Sequence, residues 1–553
     1  MKLNEILEVA KKKSETRLRE IREQMTLPFF RTHDQSLWNG NPRKIVVVGS
    51  GIGGMASGAL FAKIGHQVTV LELNKNHIGG HGRCLTFNHM PYSMGPQYVW
   101  EFGEKMIGDR FMEFLDIKKS NPFVPMALDG FERVFIGSRE DTCNYCFIDF
   151  KVPLGLNNFR NELKRLFPEE KEKIDALFDD MIAVFQTYKS HLRRNAANEG
   201  RILLATKFLM TGKVPMEMKL KLGRSIYLSV EEFFDHYDIP NMIRRILYGH
   251  GGIFAENESE MSAIAYIVGT GNYHSGAWYP KYGFKHFFDS LASVIESAGG
   301  CVKKGKKVIR LETDNDLVNR AICEDGTAYE CDFLFSDISP RLTYGLLGQD
   351  TENFDYTPSR CIPTCCIGIE KGLTPIGQMK GRNYWWQDGT EVNYKDPDMH
   401  QPPQMLFIGS PSANGFGKPE AKTDDALVVF CPGNYEQEKK IYEKGPAAVS
   451  EFKNRLADDI IDILDKNVFP GIRPRVLFSK IISSIDIENQ TGGELANAYG
   501  RRLSAEEILK GPIKEDNCPS NLYNVSATKN SPGIAGGIFT AELIFRELTG
   551  REI

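Results

Sequence analysis

The sequence predicts an α/β fold: a parallel-sheet nucleotide-binding domain assembled from separated segments, with a mixed α+β domain between them. Three observations predict it. Residues 44–72 read as strand, glycine turn, helix and strand with short connections, which is one βαβ unit. Strand and helix signals of the same kind return at 286–348 and 521–549. The stretches between differ, with helical periodicity dominating 157–240 and strands and proline-rich loops mixed over 350–489.

Each element has its local reason. Residues 3–25 place Leu3, Ile6, Leu7, Val9, Ala10, Leu18, Ile21 and Met25 at helical spacing with basic residues between, so a helix packed on the body or a membrane-surface or partner helix is expected. Turn chemistry at Asn39-Gly40-Asn41-Pro42 ends that extension. "KIVVVG" is a buried strand, "GGMASGALFAKIG" a helix of small residues, and "HQVTVLEL" the next strand. Pro168 starts a new helix at "PEEK" inside the helical stretch. "HFFDSLASVIESAGG" is a helix with a glycine stop, followed by strands turning at Asp314-Asn315 and Asp325-Gly326. One helix is expected near 446–466, and residues 521–549 read as strand, glycine loop and closing helix.

Composition narrows the classes. In 553 residues, 41% are hydrophobic and 25% charged, as in an ordinary globular protein of two or more domains. The net charge of -4, with no basic tail, gives no pull toward nucleic acid. Cys84, Cys143, Cys146, Cys301, Cys323, Cys331, Cys361, Cys365, Cys366, Cys431 and Cys518 are odd in number and show no framework, which favours a reduced, cytoplasmic compartment. Cys143 and Cys146 form one CxxC without a second pair, so no metal site is expected. There is no secretory leader pattern, and no run of 18 or more apolar residues is free of charge and glycine.

Gly49, Gly51 and Gly54 form GxGxxG between a strand and a helix, where backbone N–H groups face a pyrophosphate. Gly49 allows the tight turn, Gly51 the approach of phosphate, and Gly54 the packing of helix on strand. Glu72 ends the second strand 21 residues after Gly51, where a carboxylate accepts hydrogen bonds from ribose hydroxyls. The alternative is a glycine-rich turn in an ordinary α/β unit. Gly79-Gly80 follows Glu72 by seven residues, and then comes Arg83. A second glycine turn so close to the acid suits a flavin dinucleotide rather than a nicotinamide one, with Arg83 neutralising phosphate charge.

The stretch "GSGIGGMASGALFAKIGHQVTVLELNKNHIGGHGRCLTFNHMPYSMGPQYVWEFG" resembles the opening of the phytoene desaturase-type flavoprotein superfamily. That group includes phytoene desaturases, carotenoid cis–trans isomerases and retinol saturases. Looser likenesses are "LFPEEKEKI", "SGAWYPKYGFKHFFDSLASVIESAGGCVKKGKKVIRLE", "NQTGGELANAYGRR" and "NLYNVSATKNSPGIAGGIFTAELIFREL", so the resemblance is spread over most of residues 44–549. The chain departs from the family pattern at Tyr92-Ser93-Met94-Gly95-Pro96, where an acid is common, and at Ser526-Ala527, where many members have Gly-Asp.

The resemblance implies a Rossmann-type FAD-binding domain, discontinuous over 41–125, 285–345 and 490–553. A mixed α+β substrate domain follows at 126–284 and 346–489, with residues 1–40 as an N-terminal helical extension. It adds Gly95, Val308 (a backbone contact to adenine), Gly533 and Ile534 (N–H groups for the flavin edge) to the cofactor-binding set. The implied activity is FAD-dependent redox chemistry on C=C or C–C bonds of an apolar polyene or isoprenoid-like lipid. A flavin amine oxidase and a non-enzymatic binder of prenyl or lipid cargo are the alternatives. "NYHSGAWYPKYGF" brings His274, Trp278, Tyr279, Lys281 and Tyr282 near the substrate by analogy, with Tyr279 or Lys281 as the catalytic proton carrier; the other reading is a strand packing aromatics into a core. Tyr98 and Trp100 either face the flavin or pack inward. Residues 201–224 join apolar residues to Arg201, Lys207, Lys213, Lys219, Lys221 and Arg224, which fits either peripheral contact at the inner face of a membrane or a cap helix with a solvated basic face.

Overall fold

The protein is described by a computed structural model covering Trp38 and residues 41–139, 147–192, 215–352, 354–372, 374–389, 392–414, 424–511, 513, 515, 517–529 and 531–553. The expected helix at 3–25, the Cys143–Cys146 pair and residues 201–214 of the basic stretch lie outside the described residues.

A five-stranded parallel sheet runs Cys301–Lys304, Gln67–Glu72, Lys44–Val48, Phe333–Ser336, Leu522–Asn524. Its central strand "KIVVV" is buried on both faces, as a covered parallel strand must be, which explains the unbroken β-branched run. Val46 lies between Thr69 and Leu334 in register. The helix Ile52–Lys63 packs between the helices Gly283–Ser297 and Gly533–Thr549, and its small residues permit that close approach. Phe284, Phe287, Phe288, Leu291 and Ile295 form the buried stripe of Gly283–Ser297 at helical spacing.

The second layer is a seven-stranded sheet in the order Val476–Ile482, Thr364–Glu370, Asp424–Phe430, Met405–Gly409, Asn383–Gln387, Glu132–Gly137, Phe147–Val152. Only the Asn383–Gln387 and Glu132–Gly137 pair is parallel. Helices Leu156–Leu166, Lys171–Thr187 and Met216–Tyr227 fall in the helical stretch read over 157–240, and Ala263–His274, beyond it, packs on the last two. The single helix expected near 446–466 is Pro446–Ile463, but Tyr435–Glu443 and Ser484–Thr491 are helical as well. Both are short and start at polar caps, Asn434 and Ser483. Among the described residues no helix is long and apolar enough to cross a membrane.

Two cations of the basic stretch do not face outward. Lys221 and Arg224 turn onto the buried Asp180 at 3.1 and 2.5 Å. Asp180 also accepts the Tyr237 hydroxyl, so this part of the stretch ties one cap helix to another.

Candidate active site: one cavity with two ends

The carboxyl edge of the parallel sheet opens into a large cavity. One end is backbone. Gly49 has φ +95°, a conformation glycine adopts freely, and its N–H donates to the Leu71 carbonyl at 2.9 Å. A Cβ on Gly51 would stand 2.5 Å from Asp337 Oδ2, so only glycine fits while that carboxyl lies against the loop. Gly54 lies one turn inside and meets the strand.

Glu72 is buried and holds the loop. Its Oε2 accepts the Ser50 hydroxyl and, at 3.1 Å, the Ser50 N–H, while Oε1 accepts the Asn74 N–H at 2.6 Å. Two ionised oxygens offer about four acceptor sites, so capacity for further donors remains. Burial raises its pKa, against the opposing pull of the Ser50 and Asn74 donors and Arg83. Gly79 and Gly80 line the same end, with Gly79 tied to Ser50 through its N–H at 3.0 Å. Gly95, Gly533 and Ile534 also line it, as do Ser526 and Ala527.

Besides Gly54, two of the expected cofactor residues stand back from the cavity. Arg83 is 2% exposed; its Nε donates to Gln490 Oε1 at 2.9 Å and one Nη to the Gly80 carbonyl at 3.1 Å, while the other Nη is buried without a partner. Burial holds its pKa down to about 10. Val308 opens the strand Val308–Asp314, and its side chain packs with Val46, Val48 and Leu71 rather than lining the cavity.

The other end is apolar. Trp100, Tyr273, Trp385, Tyr394, Met405 and Phe407 line it. Arg360 reaches the wall, but Glu256 and Glu260 hold its guanidinium at 3.0 and 2.6 Å. Tyr98 and Trp100 both line the cavity, which settles their orientation toward it.

Of the two candidate proton carriers, neither Tyr279 nor Lys281 lines the cavity. Tyr279 is 2% exposed in the strand Ala277–Pro280, packed edge-on against Phe284, and its hydroxyl has no partner. Lys281 is exposed, with its ammonium over the Tyr282 ring. The strand is clamped between Val99–Trp100 and Phe123–Pro125, so it packs its aromatics into the core. His274 is likewise buried, stacked on Phe159.

Residues missed by sequence reasoning are Asp337, Glu132 and His250. Asp337 follows the strand Phe333–Ser336 at the same sheet edge as the glycine loop, and the Gly51 and Gly54 N–H groups reach it. Burial lifts its carboxyl to about 8, with Glu72 adding to the rise. An acid ending an apolar parallel strand was the available signal. Glu132, first in the strand "ERVFIG", is 1% exposed and was hidden as the edge of an apolar run.

A glycine loop lining the cavity and an acid with spare acceptor capacity form a donor and acceptor set that fits a dinucleotide, with the unpartnered Arg83 nitrogen buried behind them. Comparison with known proteins agrees. An NAD(P)-binding Rossmann-like domain family matches residues 47–116. The chain is 24% identical over 546 residues to the all-trans-retinol 13,14-reductase of Danio rerio, covering 89% of this chain and 84% of that protein. It is 21% identical to a lycopene-forming phytoene desaturase of Pseudescherichia vulneris, covering 90% of this chain and 98% of that one. Among solved structures, an oxidoreductase from Methanosarcina mazei superposes with TM-score 0.60 at 16% identity, covering 91% of this chain and 99% of that chain.

Proposed function

We propose that this oxidoreductase, which resembles the phytoene desaturase-type flavoproteins along most of its length, binds FAD and acts on C=C or C–C bonds of an apolar polyene or isoprenoid-like lipid. One observation carries the reading: a cavity joins a backbone-lined glycine end to an apolar aromatic end where, among the described residues, the one lysine or arginine on the wall, Arg360, is neutralised. A flavin supplies hydride chemistry when bound. The chain's own residues then hold and orient. Gly49, Gly51, Gly79 and Gly80 offer backbone to the pyrophosphate, Gly54 lets the helix close on the strand, and Arg83 stands behind them. Glu72 takes ribose hydroxyls, Val308 meets the adenine through its backbone alone, and Gly95, Gly533 and Ile534 meet the flavin side.

The reading divides the chain into an FAD-binding domain at 41–125, 285–345 and 490–553 and a substrate domain at 126–284 and 346–489. The five parallel strands fall in the first set and the seven-stranded sheet in the second, which supports the division. The names of the retinol reductase and the phytoene desaturase support a polyene substrate. A lipid would enter by way of residues 201–224, with Arg201, Lys207, Lys213 and Lys219 as the cations for anionic headgroups, because Lys221 and Arg224 are held by Asp180.

The test is the visible absorption spectrum of the purified protein, with the supernatant after heat release analysed for FAD. A yellow protein releasing stoichiometric FAD is expected. A colourless protein that cannot be reconstituted with FAD sinks the reading.

A further inference from the structure

A polar cluster is walled into the apolar end of the cavity. Glu132 Oε1 accepts the Tyr98 hydroxyl and, at 3.0 Å, the Trp385 indole N–H. Glu132 Oε2 stands 3.8 Å from His250 Nδ1, which has no hydrogen-bond partner, and His250 Nε2 is 3.4 Å from the Thr270 hydroxyl. Tyr98, Tyr273 and Trp385 line the cavity, while Glu132 and His250 stand behind them, 1% and 3% exposed.

The groups facing this cluster are Tyr273 and Tyr499 on the phenol side and His274 behind His250. Among the described residues no lysine or arginine pairs with Glu132. Burial therefore lifts the Glu132 carboxyl to about 7 and presses His250 down to about 4. Near neutrality His250 is uncharged and Glu132 sits close to its midpoint, so the contact at 3.8 Å is not an ion pair and the carboxyl can both give and take a proton. Burial, with the Glu132 charge added, holds the Tyr98 phenol well above its usual range, so it keeps its proton. A purely structural acceptor for Tyr98 and Trp385 could be an amide. What a carboxyl adds at that position is an exchangeable proton, one hydrogen bond from the cavity.

We propose that Tyr98 is the proton donor to the substrate carbon, with Glu132 restoring its proton and His250 relaying the next. This rests on the reading of the cavity as a redox site for C=C bonds. In the reducing direction the hydride, with its two electrons, comes from a reduced flavin, and the chain must add one proton. The π bond breaks, one carbon gains the hydride, and its neighbour forms a C–H bond with the proton leaving the Tyr98 oxygen. The Glu132 carboxyl proton passes to that oxygen, and the carboxylate is reprotonated through His250. The substrate gains two electrons, and the reductant loses two.

The experiment compares flavin-loaded wild type with Tyr98→Phe and Glu132→Gln. Flavin content is read by visible absorption. The protonated-carboxyl infrared band is followed from about pH 5 to about pH 9. Anaerobically reduced protein is given all-trans-retinol and phytoene in single turnovers, in H2O and D2O. The expected result is full flavin in all three and a band that titrates in wild type, is missing in Glu132→Gln and moves in Tyr98→Phe. Turnover should slow by about 100-fold in both variants, and the wild-type solvent isotope effect should change with them. Glu132→Gln keeps an acceptor for Tyr98 and Trp385, so it decides the matter even if Tyr98→Phe misfolds. Wild-type turnover in Glu132→Gln, or no Glu132-dependent band, overturns the relay while the flavin reading stands. A wild type without flavin, or one with flavin that leaves both probes unchanged, removes the proposed function and the relay together.

Discussion

The two ends of the cavity are built in opposite ways. The glycine end takes its lining from short consecutive runs, 49–53, 79–82 and 533–535, and most of what it offers is backbone. The aromatic end takes single side chains from distant elements: Tyr98, Tyr273, Trp385, Tyr394 and Phe407. A site made of backbone needs particular dihedrals at consecutive positions, so it is written locally. A site made of side chains needs only apolar bulk at each place, and it exists only once the sheets and cap have assembled.

The largest effect that could break this comparison sits at Glu72. Glu72→Ala removes the acceptor for the Ser50 hydroxyl and N–H as well as the acid proposed for the ribose. Losing hydrogen bonds to a charged group costs roughly 2–3 kcal/mol, so FAD affinity should fall about 100-fold while the fold persists. Fluorescence titration with FAD, beside circular dichroism, checks it. Unchanged affinity would mean that the loop backbone alone holds the dinucleotide.

The same contrast sets how much was legible in the sequence. The unit at 44–72 and its glycine loop were readable because a buried parallel strand, a tight turn and a small-residue helix each leave a local mark. Asp337 was not read, because its place against the loop comes from the crossover that sets Phe333–Ser336 beside Lys44–Val48. Glu132 and Trp385 meet only because two strands over 250 residues apart pair in parallel. The strand holding Tyr279 is legible as a strand, but the sequence leaves open whether its aromatics meet the cavity or the core, since alternation does not say which face meets which.

Protons sharpen the comparison further. Burial raises Glu132 and Glu438 to about 7, and Asp337 to about 8. Each is near 4 when unfolded, so between about pH 4 and those values the folded state holds more protons than the unfolded state. Stability therefore falls as pH rises through this window, the reverse of a salt-bridged carboxylate. Burial holds His81, His250 and His274 low, which opposes this below about pH 6.5, so the acids are read by difference: from about pH 5 to about pH 8 the wild type should lose roughly a few degrees of thermal midpoint relative to Glu132→Gln and relative to Asp337→Asn. Asp337→Asn should act up to the higher pH limit, because its carboxyl is raised further. A difference between wild type and variant that does not change over that range would show that the acid is ionised in the folded protein.

The smallest effects belong to Tyr279 and Lys281, and their smallness is the point. The Tyr279 hydroxyl is buried without a partner, so Tyr279→Phe removes an unsatisfied group and should leave stability unchanged or raise it by up to about 1 kcal/mol. Lys281 is exposed, and Lys281→Ala should shift stability by no more than about 0.5 kcal/mol. Neither should change turnover, because neither side chain reaches the cavity. Thermal melts and single-turnover rates on the same preparations decide this. A rate loss of more than about tenfold in either variant, with melting unchanged, corresponds to over ~1.4 kcal/mol of lost transition-state stabilisation. That result would return the strand to the chemistry and would mean that the aromatic end extends behind the wall formed by Tyr98 and Trp100.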